Sequence, residues 1–195
     1  MTTWRKGRYI LNTKLREETI PMGLVIADAA KKVARVPGMA VFMTPDPDGA
    51  PPVLLHHLKH NKVLHEQVVM LSIVNHFVPQ MRPEERIEVR ELGEGFHAVS
   101  AHYGFMETPD VPSIAEAVTT RGLPMNIRNI SFYLGRETLI PIKRRGVDFR
   151  EWFLRRMPMW RKRLFVLMAN NARPATAFFN LPPNRVVELG LQIEL

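Results

Sequence analysis

The stretch LLHHLKHNKVLHE, Leu54 to Glu66, sets four histidines and two lysines within thirteen residues. Imidazoles at that density can ligate a metal, and imidazoles beside ammonium groups can hold an anion such as a phosphate. On a helix His56 and His60 are four apart and share a face, the spacing of a zinc pair. A catalytic zinc takes a third protein ligand, however, and the HExxH pattern is absent. His65 falls beyond the helix and joins that pair only through a suitable turn. Lys59 and Lys62 would repel a bound cation and welcome an anion. Three readings stay open: a metal site, which the lysines oppose; a phosphate- or nucleotide-contacting segment; and a structural helix end carrying surface His and Lys.

A second candidate is LGRETLIP, Leu134 to Pro141, where Arg136 follows a glycine inside a strand pattern, a place where another backbone or a ligand approaches closely. Arg136 could fork onto a phosphate or carboxylate, or pair with an internal acid such as Glu188. Catalytic patterns are missing: there is no Walker loop, GxGxxG, GxSxG or cysteine nucleophile. Asp46 and Asp48 form a carboxylate pair, yet they stand in TPDPDGAPP, where Asp and Gly serve a turn. No catalytic and no metal-ligating residue is assigned, and the chain is read as a non-enzyme.

The elements that must position these residues follow from periodicity. VPGMAVFMT is a short apolar run bounded by Pro37-Gly38 and PDPDGAPP, a buried strand and then a turn. Pro51 and Pro52 suit a first helical turn, so residues 52–60 should be a helix, and QVVMLSIV the next buried strand. Strand, helix, strand is a crossover unit and implies parallel pairing. ERIEVREL and GFHAVSAHYGF alternate around Gly93-Glu94-Gly95 as a hairpin. TPDVPSIAEAVTTRG reads as a helix stopped by Gly122, and RNISFYLGRETLIP and NRVVELGLQIEL as strands. Residues 13–34 carry a helical pattern that Pro21 interrupts or restarts. From Asp148 to Asn171 runs a long amphipathic segment with an apolar side of Phe149, Phe153, Met157, Trp160, Leu164, Leu167 and Met168, broken or kinked at Pro158. The expected fold is α/β: one domain over residues 37–195 with a mixed sheet of about five or six strands flanked by helices, preceded by a basic helical lead-in over 1–36.

At 195 residues, 46% of them hydrophobic, the chain is long enough for one buried core. It has no cysteine, hence no disulfide framework. No window approaches the ~18 apolar residues of a membrane helix, and charges occupy the N-terminus where a signal peptide would be apolar, so a soluble intracellular chain is expected. The formal net charge of +8 is concentrated in Arg5, Lys6, Arg8, Lys14 and Arg16 beside Trp4 and Tyr9, and in the run from Lys143 to Arg163. Such blocks suit phospholipid or nucleic acid. No RNP-like strand, zinc knuckle or helix-turn-helix supports nucleic acid, which is not expected as a partner.

The stretches TTWRKGR, VPGMAVFMTPDPDGAPPVLLHHLKHNKVLHE, GFHAVSAHYGFMETPDVP, SFYLGRETLIP and LPPNRVVELGLQIEL resemble, in that order, the C-terminal cytoplasmic region of the Kup (KUP/HAK/KT) potassium uptake transporters of bacteria. The resemblance covers nearly the whole chain. It implies a twelve-helix membrane part, absent from this chain, that symports potassium with protons, so that the chain would lie at the cytoplasmic face of the inner membrane with its own transmembrane portion as partner. Met1 would then be internal to a longer protein. Trp4 would sit at the headgroup level and Arg5, Lys6 and Arg8 just inside the cytoplasm. His56, Lys59, His60, Asn61, Lys62 and His65 match the family pattern, while His57 stands where Asn is usual, which argues against a metal site built on His57. Potassium-binding residues of the family lie in its membrane helices, and none is carried over. Because some members of the wider superfamily are regulated by cyclic di-AMP, an anionic nucleotide held by Lys59, His60, Asn61, Lys62, His65 or Arg136 is implied as a ligand, with no other cofactor. A regulatory or assembly role and a homodimer are the expectation. A nucleotide-processing enzyme and a nucleic-acid binder are the alternatives from other classes.

Overall fold

A computed structural model describes residues 2–17, 20–46, 49–140, 158–172 and 174–194. It is an α/β protein with a mixed six-stranded sheet, inside the expected strand number. β2 (Ala34–Met43) and β4 (Val63–His76) run parallel, with Val41 opposite Val69 and Phe42 opposite Met70. α3 (Pro52–Asn61) makes the crossover between them. β7 (Ile130–Ile140) flanks β2 on its other side, also parallel, with Tyr133 opposite Phe42. β6 (Phe96–Gly104) pairs parallel with β4, and β5 (Ile87–Gly93) pairs antiparallel with β6. The order is β5-β6-β4-β2-β7-β8, so β8 (Val186–Glu194), whose place the sequence left open, lies at an edge. β1 (Ile20–Pro21) and β3 (Gly49–Ala50) form a separate antiparallel pair.

Alternation sorts the strand residues onto two faces. Val41, Val69, Leu71, Val99 and Phe132 join Val111, Ile114, Ala115 and Val118 of α4 (Val111–Thr119) in the main core. Each large side chain fully buried there stabilises the fold by roughly 1.5–3 kcal/mol. The next residue along, Phe42, turns to the opposite face and meets α3 at His57. The β5–β6 turn takes left-handed backbone at Gly93, Glu94 and Gly95, and a Cβ on Gly95 would overlap the carbonyl oxygen of Glu66. Glycine is required there both by its φ and by the approach of β4.

The N-terminal residues are helical, as the sequence suggests, and the helical pattern restarts at Pro21. α1 (Thr2–Glu17) already contains the basic block, and α2 (Met22–Lys32) starts after Pro21, which supplies an extended N-cap residue. The chain falls into two compact units. The larger holds Ile20–Gly135 and Pro174–Leu189; the smaller holds Met1–Thr19, Arg136–Arg173 and Gly190–Leu195.

The smaller unit has its own core of Leu11, Leu139 and Phe165, joined by Trp4, Ile10, Val166 and Ala169. α5 (Met159–Asn170) begins directly after Pro158, an extended N-cap residue, so of the break or kink expected at this proline the break holds. Its inward residue is Phe165, whose ring tilts against Trp4 at 5.4 Å and lies where a Cβ on Gly7 would be. Trp160, Leu164, Leu167 and Met168, the apolar side read from the sequence, are exposed instead. Phe149, Phe153 and Met157 lie outside the described residues.

Candidate functional site

The histidine-rich stretch is the last turn of α3 running into β4. Pro52 fits the first turn because its missing N–H would be unpaired there anyway, and Val53, Leu54 and His57 face inward. The helix ends when Lys62 adopts the left-handed conformation, φ 55°, and its N–H donates to the carbonyl of Leu58 at 3.1 Å. β4 starts at the next residue, so no loop separates the two elements. Lys59, His60 and Lys62 are exposed around the last carbonyls of α3, the negative end of the helix dipole, which favours cations there.

His57 is the buried member of the set, 3% exposed. Its ring stands edge-on to Phe42 at 5.6 Å and to Tyr133 at 4.7 Å, while Phe42 and Tyr133 stack on each other at 4.8 Å. Asn61, one turn further along, donates to its Nδ1 at 2.9 Å. Nε2 has no partner among the described residues. His65, on β4, brings its ring to 6.5 Å from His57 and 6.2 Å from Tyr133, and its Nδ1 is likewise buried without a partner among the described residues. Burial holds both imidazoles below the ordinary histidine pKa, and for His57 the neighbouring His65 adds to this against a weaker opposing pull from the Val63 backbone. Burial also pushes the Tyr133 phenol up. The cluster is neutral, and its nearby cation, Arg35, is spent on the carbonyls of His65 and Glu94, each at 2.9 Å, and on the Phe96 ring.

The residues singled out from the sequence therefore separate. His56 and His60 do share a face, with rings 5.8 Å apart, and both are exposed. Among the described residues no group of three or more His, Asp or Glu is placed to hold a metal ion. Lys59, His60, Asn61 and Lys62 cluster at the exposed end of α3, whereas His65 joins the interior histidine. Arg136 is exposed on β7 and belongs to the smaller unit. Asp46 offers its backbone to Thr44, as a turn residue does. Sequence reasoning weighed His57 only as a ligand and did not place it inward, although its spacing from Val53 and Leu54 marks it so.

Two further polar clusters stand on the β4–β6 side. His76 and His102 place Nε2 and Nδ1 2.9 Å apart, with Glu88 3.9 Å beyond. Glu107 accepts from the backbone N–H of Gly104 at 2.7 Å and of Met81 at 3.0 Å, and pairs with Arg86. Those backbone bonds first, and Arg86 after them, hold the Glu107 carboxyl below the usual range.

The comparisons with known proteins carry the identification. Residues 37–195 match the model of the K+ potassium transporter C-terminal domain. The chain belongs to that family. Similar curated proteins are the probable potassium transport system protein Kup of Anaeromyxobacter sp. strain K, 51% identical over 204 residues, and that of Myxococcus xanthus, 50% over 196; each comparison covers 100% of this chain and 28% of the relative. Kup 1 of Geobacter sulfurreducens is 46% identical over 196 residues, covering 100% of this chain and 30% of the relative. The chain thus spans under a third of these relatives. No solved structure matches it.

In this Kup-type C-terminal domain no helix among the described residues is long and apolar enough to cross a membrane. Trp4 is half-buried against Phe165, Arg5 and Arg8 are exposed, and Lys6 is half-buried, all on α1. The family match begins at residue 37, while the relatives align over the whole chain, α1 included.

Proposed function

We propose that this chain is the cytoplasmic regulatory or assembly domain of a Kup-type potassium:proton symporter, working on transport without forming the ion path. The family match over residues 37–195 carries this reading. Its partner is the transmembrane part of the same protein, at the cytoplasmic face of a bacterial inner membrane. The basic start of α1, with Arg5, Lys6 and Arg8 beside Trp4, is the membrane-proximal lead-in, residues 1–36, to the domain at 37–195. Self-association as a homodimer belongs to the same reading. The domain catalyses no reaction.

A test is growth on limiting potassium. A bacterium lacking its own potassium uptake would make either a full-length transporter ending in this domain or the same protein without it. Equal growth at equal membrane abundance would reject the proposal.

The exposed basic group at the end of α3 supports a second reading, an anionic nucleotide such as cyclic di-AMP held by Lys59, His60, Asn61 and Lys62. The helix dipole opposes an anion at that terminus, so the assembly reading is preferred. A selective rise in thermal midpoint with one of cyclic di-AMP, AMP or ATP, lost in Lys62→Glu, would reverse that preference.

A further inference from the structure

α5 is apolar on two sides. One side carries Phe165, 1% exposed, with Val166 and Ala169 in the core of the smaller unit. The other carries Trp160, Leu164, Leu167 and Met168, exposed by 65%, 38%, 60% and 37%. These four recur at i, i+4, i+7 and i+8, a continuous stripe of about 100° of arc, the width of a buried helix face. An apolar stripe of that length left in water marks a surface that something covers.

The charges of the helix select the cover. α5 reads MWRKRLFVLMAN, with Arg161, Lys162 and Arg163 and no acidic residue. Arg163 is exposed and adjoins Leu167 around the helix, and Arg161 donates to Thr3 at 3.2 Å, binding α5 to the equally basic α1. A second copy packed on this stripe would bring two such basic runs together, a like-charge contact that costs affinity. An anionic bilayer complements all of it: Trp at the headgroup level, Leu and Met in the acyl boundary, and arginine on phosphate. Twelve residues make a helix of about 18 Å, too short to cross a bilayer and suited to lying along its surface.

We propose that the Trp160–Leu164–Leu167–Met168 face of α5 inserts into the headgroup region of an anionic membrane and holds the smaller unit against it. This rests on the membrane-face location proposed above and adds a second anchor to α1. The test is flotation of the 195-residue chain with vesicles of phosphatidylcholine alone and of equal parts phosphatidylcholine and phosphatidylglycerol. The chain should float with the mixed vesicles only, Leu167→Asp should weaken binding roughly tenfold or more, and Arg163→Glu roughly fivefold to thirtyfold. Both sites are exposed, so far-ultraviolet circular dichroism and the thermal midpoint should match wild type; if Leu167→Asp misfolds, Arg163→Glu decides. Absence of vesicle binding, or binding that neither substitution weakens, overturns the proposal. So does a dimer in equilibrium sedimentation that Leu167→Asp dissociates while no vesicle is bound. None of these readouts depends on transport, so the anchor and the regulatory reading fail separately.

Discussion

Asn61 donates to Nδ1 of His57 across one turn of α3, which leaves Nε2 of a buried imidazole without a partner among the described residues. Standing edge-on to the stacked Phe42 and Tyr133, with His65 as neighbour, that ring has its pKa lowered by burial, which favours the neutral form. The histidine-rich stretch thus has a wet side of basic residues and a dry side of neutral ones.

Stability should fall as the medium turns acid. His57 and His65 have folded pKa values below the unfolded 6.5, so the unfolded chain binds more protons between the two values. Their contribution is intact above pH 6.5 and is lost as pH falls below it, toward and through the folded values. In His57→Leu the urea midpoint should drop less between pH 7.5 and 5.5 than in wild type, while stability at pH 7.5 changes by less than about 1.5 kcal/mol. Equal drops in the two proteins would show that His57 does not titrate as described.

Glu107 ties the segment after β4 to the end of β6. Replacing it by alanine strands the N–H groups of Gly104 and Met81 and the Arg86 guanidinium, at roughly 1–3 kcal/mol in urea unfolding. Its folded pKa is depressed, so the wild-type advantage over Glu107→Ala should be complete above pH 4.5 and shrink as pH falls below that.

Asp110 caps α4, accepting from the Ser113 N–H at 2.9 Å and from Asn180 at 2.9 Å. Asp110→Ala should lower stability by about 1 kcal/mol. Asn180→Ala removes only the second bond and should cost less in the same thermal melt.

Gly7 lies where α1 meets Phe165, and a Cβ would overlap the ring. Gly7→Ala should destabilise the smaller unit by roughly 1–3 kcal/mol. Amide hydrogen exchange should quicken in α1 and α5 while β4 and β6 stay protected. Unchanged exchange in α1 would mean that the two helices do not pack this closely.

Much of the larger unit was legible because its signals are local. Pro51-Pro52 opens α3, Gly93-Glu94-Gly95 turns the hairpin, and the apolar runs of β2 and β4 are bounded by turn residues. His57 was missed because its imidazole was weighed as a ligand rather than by its place on the inward face. On α5 the sequence pattern showed one apolar side, Trp160 to Met168, and did not single out Phe165, the residue that turns inward. With apolar residues on two faces, periodicity gives the faces but not their covers, and the choice fell to Phe165 meeting Trp4 and Leu11 from a helix far away in sequence.

The most direct measurement is rubidium uptake by a purified full-length Kup transporter ending in this domain, reconstituted in proteoliposomes beside a version lacking it, at matched amounts of protein. A regulatory or assembly domain predicts a changed uptake rate per transporter, or a changed oligomeric state, when it is removed. Identical rates and identical oligomers would contradict the account.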